Sequence, residues 1–335
     1  MVSRQNYSKK YALLLVVVLV LGSALLFAGC GKEKTYRIGI LSGLDYCYDI
    51  TIGFMEKMEE LGYTEGKNVV YDIHRSNFDM DEYRNVLNQF VADGVDLIFV
   101  YPTEASIEAK LATTESKTPV VFCFCNIEDN DLINSIRAPG GNITGVRYPG
   151  PDLTVKRFEL LQAMLPEANR IWIPHQKGYP LDCQIDALLP VAAATGVELQ
   201  LFPAADAAEL DTELQSRSQA ADPGFDAILF LAEPLSVTAD AFAVLSHFSE
   251  PRRIPIAGAI INEGDYGTIF GVSVDLTSTG KQAALVADKV LKGADPGLVP
   301  VVSSDNFFLI NYNIVQKLGL ELSETILNQA DEIIR

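Results

Sequence analysis

The chain has 335 residues, 48% of them apolar, which is enough for two hydrophobic cores, since single cores stop growing near roughly 250–300 residues. Forty-four Asp and Glu against 26 Lys and Arg give a formal net charge of −18. So acidic a surface repels nucleic-acid phosphates, which excludes a nucleic-acid role, and it favours solubility.

The first element in the chain is an export signal. Arg4, Lys9 and Lys10 precede an apolar run over 11–28, and the first 29 residues hold no acid. A basic start, an apolar stretch and small residues at a cleavage point describe a signal peptide. The run is about long enough to span a bilayer, which takes roughly 17–25 residues, so a permanent signal anchor is the competing reading. The small pair Ala28-Gly29 directly before Cys30 decides for cleavage. Phe27-Ala28-Gly29-Cys30 resembles a bacterial lipobox, in which the cysteine is lipidated and becomes the mature N-terminus; Phe27 stands where that pattern usually has Leu. Residues 1–29 are therefore expected to be a signal peptide, and 30–35 a lipidated terminus with a polar spacer.

Strand-like and helix-like segments then alternate. Residues 37–41 read as a buried strand and 52–61 as a helix, with Phe54, Met55, Met58 and Leu61 on one side and Gly62 as its stop. Strands are expected at 68–73, 96–101, 119–125 and 142–146, with helices at 82–92 and 104–115. The pattern restarts with helices at 153–165, 182–194, 207–220 and 236–247, interleaved with strands at 170–174, 197–202 and 226–231. Segments 254–257, 268–274, 277–291 and 307–310 complete it. Such alternation means parallel sheets with helices on both faces, and right-handed crossovers make each run a doubly wound sheet. There are too many strands for one compact sheet, so the fold class is α/β with two lobes. Tyr148-Pro149-Gly150-Pro151 is the first crossing between them.

The sequence carries no recognisable catalytic or metal-binding pattern. His74, His175 and His247 are scattered, and none sits at i,i+4 from another. No GxSxG, GxGxxG or Walker A sequence occurs. Ser278-Thr279-Gly280-Lys281 formally matches SxxK but lacks companion motifs and reads as a helix entry. Cys47, Cys123, Cys125 and Cys183 form no CxxC pair. Cys123 and Cys125 lie two apart in a strand, so both are expected on one face, as small buried hydrophobes that do not bond to each other. No enzyme, cofactor or metal site is predicted.

One family resemblance covers nearly all of 36–335. Gly53-Phe54, Leu61-Gly62-Tyr63 and Glu65-Gly66-Lys67-Asn68-Val69 open it. Val95-Asp96-Leu97-Ile98, Thr118-Pro119-Val120-Val121-Phe122 and the stretch from Pro139 to Val146 continue in register, followed by Lys156-Arg157-Phe158-Glu159-Leu160-Leu161. Leu291-Lys292-Gly293-Ala294-Asp295-Pro296, Leu309-Ile310-Asn311 and Leu318-Gly319-Leu320 close it. Collinear, these motifs resemble the ABC transporter substrate-binding lipoproteins that include tryptophan/tyrosine-type binding proteins. The resemblance implies a type I periplasmic-binding-protein fold, with two doubly wound lobes, three crossing segments and a ligand between the lobes. Lobe 1 is placed at 36–147 plus 276–303, and lobe 2 at 148–275 plus 304–335.

Ligands in open α/β sheets lie beyond the carboxyl ends of strands, so those loops hold the candidate site. Asp45, Tyr46 and Tyr48 follow the first strand. Tyr101, Thr103 and Glu104 follow another, where relatives have a Thr-Pro-Ala-Ala-like turn whose amides receive a carboxylate; Glu104 replaces a small residue there. Thr103 also reads as a plain N-cap. Phe124 and Asn126 end a further strand. In the second lobe His175 and Gln176 stand where relatives carry an Asn-containing turn, and Glu233 where they tend to carry Asp. Asp275 ends a strand directly before a helix, as a ligand carboxylate or a helix cap.

The implied function is capture of a small solute, an amino acid with an aromatic or other apolar side chain, by a monomer. It would be delivered to an ABC permease and its ATPase. Presentation of the ligand to a membrane sensor kinase and binding of a cationic solute such as a polyamine are the alternatives. Replacing Cys30 with Ala is expected to abolish the processed, membrane-bound form on cell fractionation. Retention at the usual processed mass would rule the anchor out.

Overall fold

The computed structural model describes residues 34–128, 130–261, 264 and 266–335. The expected signal peptide and Cys30, the expected lipidation site, lie outside the described residues. Among the described residues no helix is long and apolar enough to cross a membrane.

The first lobe is built on six parallel strands: β1 (Tyr36–Ser42), β2 (Val69–Arg75), β3 (Leu97–Tyr101), β4 (Val120–Cys125), β5 (Ile143–Arg147) and β11 (Val302–Ser303), in the order β11-β5-β4-β3-β1-β2. Its central strands are apolar on both faces, as a sheet covered on both sides requires. Ile38, Ile40, Phe99 and Val121 pack on one side, and Leu41, Ile98, Val100 and Phe122 on the other, all fully buried. Helices α2 (Met80–Ala92) and α3 (Thr103–Ala112) cover the second side. The first side is covered by α1 (Asp49–Glu60) and by α8 (Leu276–Leu291), which arrives from far down the chain.

Helices α1 and α8 meet backbone to backbone. A Cβ at Gly53 would lie 2.1 Å from the Thr277 carbonyl oxygen, and one at Gly280 would lie 2.1 Å from that of Ile50. Only glycine permits so close an approach.

The second lobe places β6 (Arg170–Gln176), β7 (Glu198–Ala204), β8 (Ala227–Leu229) and β9 (Ile256–Ala257) in the parallel order β7-β6-β8-β9. A three-stranded sheet, β10 (Phe270–Val274), β12 (Asn306–Asn311) and β13 (Glu332–Ile334), extends it through a bridge between Gly258 and Gly271. In that extension β10 and β12 run antiparallel. Helices α4 (Gly150–Met164), α5 (Asp182–Thr195), α6 (Ala207–Arg217), α7 (Ala239–Ser249) and α9 (Tyr312–Leu318) surround these strands. The core centres on Trp172, fully buried and stacked on Phe225 with ring centroids 5.1 Å apart. The chain leaves the first sheet between β5 and α4, returns between β10 and α8, and leaves again between β11 and β12.

Two local readings of the sequence are corrected here. The expected helix over 236–247 is split, because Thr238 is extended (φ −87°, ψ 128°) and separates a 3₁₀ turn, Pro234–Val237, from α7. Cys123 and Cys125 do not share a face. The register of β4 shifts between Phe122 and Cys125, and Phe124 adopts a positive φ of 49°. This bulge re-aims the end of the strand. Cys123 joins the core beneath α1 and α8, whereas Cys125 joins the core beneath α2 and α3.

The glycine contact predicts a specific weakness. Gly280→Ala should destabilise the protein by about 1–3 kcal/mol, the usual cost of overpacking. Urea unfolding of the variant measures this, and an unchanged midpoint would show that the two helices can separate freely.

Candidate functional site

Both lobes present the carboxyl ends of their parallel strands to one cleft, with a volume of about 740 Å³ including its open mouth. From the first lobe, Tyr46 comes from a 3₁₀ turn after β1, Phe78 from the loop after β2, Thr103 and Glu104 from the start of α3, and Phe124 and Asn126 from the end of β4. From the second, Tyr179 follows β6, Glu233 follows β8 and Ile260 follows β9. Tyr148 lies on the first crossing and Ser273 in β10, the strand that feeds the second.

Five aromatic residues, Tyr46, Phe78, Phe124, Tyr148 and Tyr179, contribute to the walls. Phe124 meets Tyr148 edge to face at 5.2 Å and 68°. Phe78 and Phe124 both have positive φ, 60° and 49°, an uncommon conformation for bulky residues that points to over-determined loops. Tyr46, Phe78 and Val237 form an apolar rim and stay 51%, 45% and 45% exposed.

Two carboxylates supply the charge. Glu233 is buried and accepts backbone N–H bonds from Gln176 at 2.9 Å and from Leu235 and Ser236 at 2.8 Å. Burial pushes its carboxyl up, and those three donors oppose the shift. Burial also raises Glu104, which has only its own backbone N–H in opposition. Tyr179 stands near both; burial and then the charges of Glu104 and Glu233 raise its phenol. No Lys, Arg or His lines the cleft among the described residues. Nor do those residues contain a His, Cys, Asp and Glu cluster that could hold a metal ion.

Six of the residues expected from sequence line the cleft: Tyr46, Thr103, Glu104, Phe124, Asn126 and Glu233. The other four lie outside that lining. Asp45 pairs with Arg75 at 2.8 Å on the surface, and Arg75 also lies 4.2 Å over the Tyr48 ring. Tyr101 is fully buried, its hydroxyl bonded to Thr51 at 2.7 Å and Ser42 at 2.8 Å. Gln176 donates its side-chain amide to Ala205 O at 2.9 Å, and its neighbour His175 turns back to the Ile173 carbonyl at 3.2 Å. Asp275 caps α8 by accepting from Ser278 N–H. The α3 N-terminus also differs from the resemblance, since Glu104 places an acid in the turn where a ligand carboxylate was expected.

Tyr148, Tyr179, Phe78 and Ser273 line the cleft unforeseen. Tyr148 and Tyr179 had findable signals, since each adjoins a Pro- or Gly-marked turn after a strand. Ile260 and Val237 carried none.

The family model described as ABC transporter substrate binding protein matches residues 39–334. A tyrosine-binding protein of Clostridioides difficile (strain R20291) is 23% identical over 273 residues, 80% of this chain and 76% of that protein. An ABC domain from Streptococcus pneumoniae, solved in complex with L-Trp, shares 24% identity and a TM-score of 0.75, covering 90% of this chain and all (100%) of that one. The ligand-free, open structure of a substrate-binding protein with adhesive properties from Clostridium difficile gives a TM-score of 0.72 at 21% identity, over 90% of this chain and 99% of that one.

Glu104 generates a pH prediction. Its folded-state carboxyl is raised above the ordinary 4.5, so the folded protein binds its proton more tightly than the unfolded chain does. The group therefore supports folding below 4.5, and that support is lost as pH rises through the raised value. Ligand-free Glu104→Gln should be more stable than the unmodified protein near neutral pH, with the advantage vanishing below 4.5. Urea unfolding across pH checks this; identical stability at every pH would refute it.

Proposed function

Because this chain belongs to the family of ABC transporter substrate binding proteins, we propose that it captures an amino acid with an aromatic or other apolar side chain. The observation that carries this reading is the aromatic cleft between the lobes, with Glu104 and Glu233 in its lining and no basic residue beside them. A ligand ammonium is the natural partner of Glu104, whose carboxylate meets no cation among the described residues. Tyr46, Phe78, Phe124 and Tyr148 supply flat walls for a side chain. Tyrosine and L-Trp, named with two relatives, are of this class.

Binding closes the lobes, a population shift driven by contacts that reach both at once. The protein acts as a monomer, is exported, and is held at the membrane by lipid on Cys30. From there it hands its solute to an ABC permease and its ATPase. The same pair of carboxylates favours a second reading, a purely cationic solute such as a polyamine.

Calorimetry with L-tyrosine, L-tryptophan, L-leucine and spermidine separates these readings. At least one amino acid should bind, with a fall in radius of gyration at saturation. Glu104→Gln should weaken that binding at least about tenfold, or 1.4 kcal/mol. Binding of spermidine alone would replace the amino-acid reading by the cationic one.

A further inference from the structure

A cleft that holds two carboxylates still needs a place for the acid end of an amino acid. The α3 N-terminus carries the acid Glu104 in its first turn, and no cation lines the walls among the described residues. One cation lies just behind them. Arg157, on α4, is 0% exposed. Its Nε donates to the Val272 carbonyl at 2.8 Å, and its Nη2 donates to the Tyr148 hydroxyl oxygen at 2.6 Å. Its Nη1 is buried with no hydrogen-bond partner, and no acid pairs with it among the described residues. A buried charge without a counter-ion is costly, which makes it an unusual structural choice.

We propose that Tyr148 and Ser273 form the carboxylate-receiving end of the cleft, and that Arg157 is the positioning residue that holds both and supplies the positive charge. The Tyr148 oxygen already accepts from Arg157, so its proton is free for another acceptor, and no such acceptor is found among the described residues. Tyr148 lines the cleft. Val272 is buried in the lobe, so the alternation of β10 sends Ser273 the other way, into the cleft. One guanidinium thus fixes two hydroxyl-bearing segments, the first crossing and the strand feeding the second. A donor polarised by a guanidinium makes a stronger bond to an anion than a neutral hydroxyl does. With Glu104 drawing the ammonium and Tyr148 the carboxylate, the site recognises a zwitterion and discriminates against the amine that lacks the acid group. This rests on the amino-acid reading above.

Calorimetry with two matched pairs, L-tyrosine with tyramine and L-tryptophan with tryptamine, tests the assignment. Tyr148→Phe should weaken an amino acid at least about tenfold while shifting its amine by less than about twofold. Arg157→Met should show the same selective loss, and Arg157→Lys should recover part of it. If Arg157→Met fails to fold, Tyr148→Phe and Arg157→Lys still decide. Equal losses for acid and amine, or no loss, would overturn the proposal. Amines that bind the unmodified protein as tightly as the acids would overturn it and leave solute capture standing. Failure of all four ligands to bind would remove the amino-acid reading itself, and the proposal with it.

Discussion

The first sheet of this protein has two apolar faces, and the chain that forms its strands supplies helices enough for only part of them. The face that packs Ile38, Ile40, Phe99 and Val121 is closed by α1 together with α8, which lies beyond most of the second lobe in sequence. That burial requirement forces the chain to return. The return makes a second connection between lobes, and β11, pairing with β5 before the chain leaves for β12, makes a third. The glycine contact between α1 and α8 fixes the returning helix, and with it Asp275 at the helix mouth and Ser273 at the cleft. The position of the cleft follows from covering a hydrophobic surface.

Within the cleft, desolvation sets the chemistry. The low-dielectric walls penalise Glu104 and Glu233 as anions, and they reward any cation brought to them. The two acids differ in how far the fold has already met that cost. Glu233 is held by three backbone donors and belongs to the architecture of the 3₁₀ turn it caps. Glu104 has only its own amide and is the more responsive group. Arg157 is the reverse case, a cation kept dry behind the wall and joined to the cleft by a phenol.

The order of elements and the two-lobed α/β class were legible because long apolar strands and periodic helices carry strong patterns. Loops after strands were found for the same reason, which brought Tyr46, Glu104, Phe124 and Glu233 into view. Side-chain direction was not legible. Asp45 and Asp275 sit in the right loops but satisfy a nearby arginine and a helix end, choices made by local geometry. Tyr101 ends a strand like its neighbours yet points into the core, where Thr51 and Ser42 bind its hydroxyl. Arg157 read only as part of a helix and of the family resemblance, and only three-dimensional packing shows that its charge has no acid beside it among the described residues. Short edge strands such as β11 and β13 hold too few residues to show any period.

The bulge in β4 has a consequence for redox chemistry. By sending Cys123 and Cys125 into separate cores, it places a sheet between two thiols that are neighbours in sequence. Burial holds Cys125 at about 12 and raises Cys123 well above the ordinary thiol value, so neither forms the thiolate that disulfide exchange requires. Cys47, also pushed up to about 12, is equally inert. In an oxidising environment the fold thus keeps Cys123 and Cys125 on opposite sides of a sheet and disfavours their ionisation, and its described cysteines form no bridge.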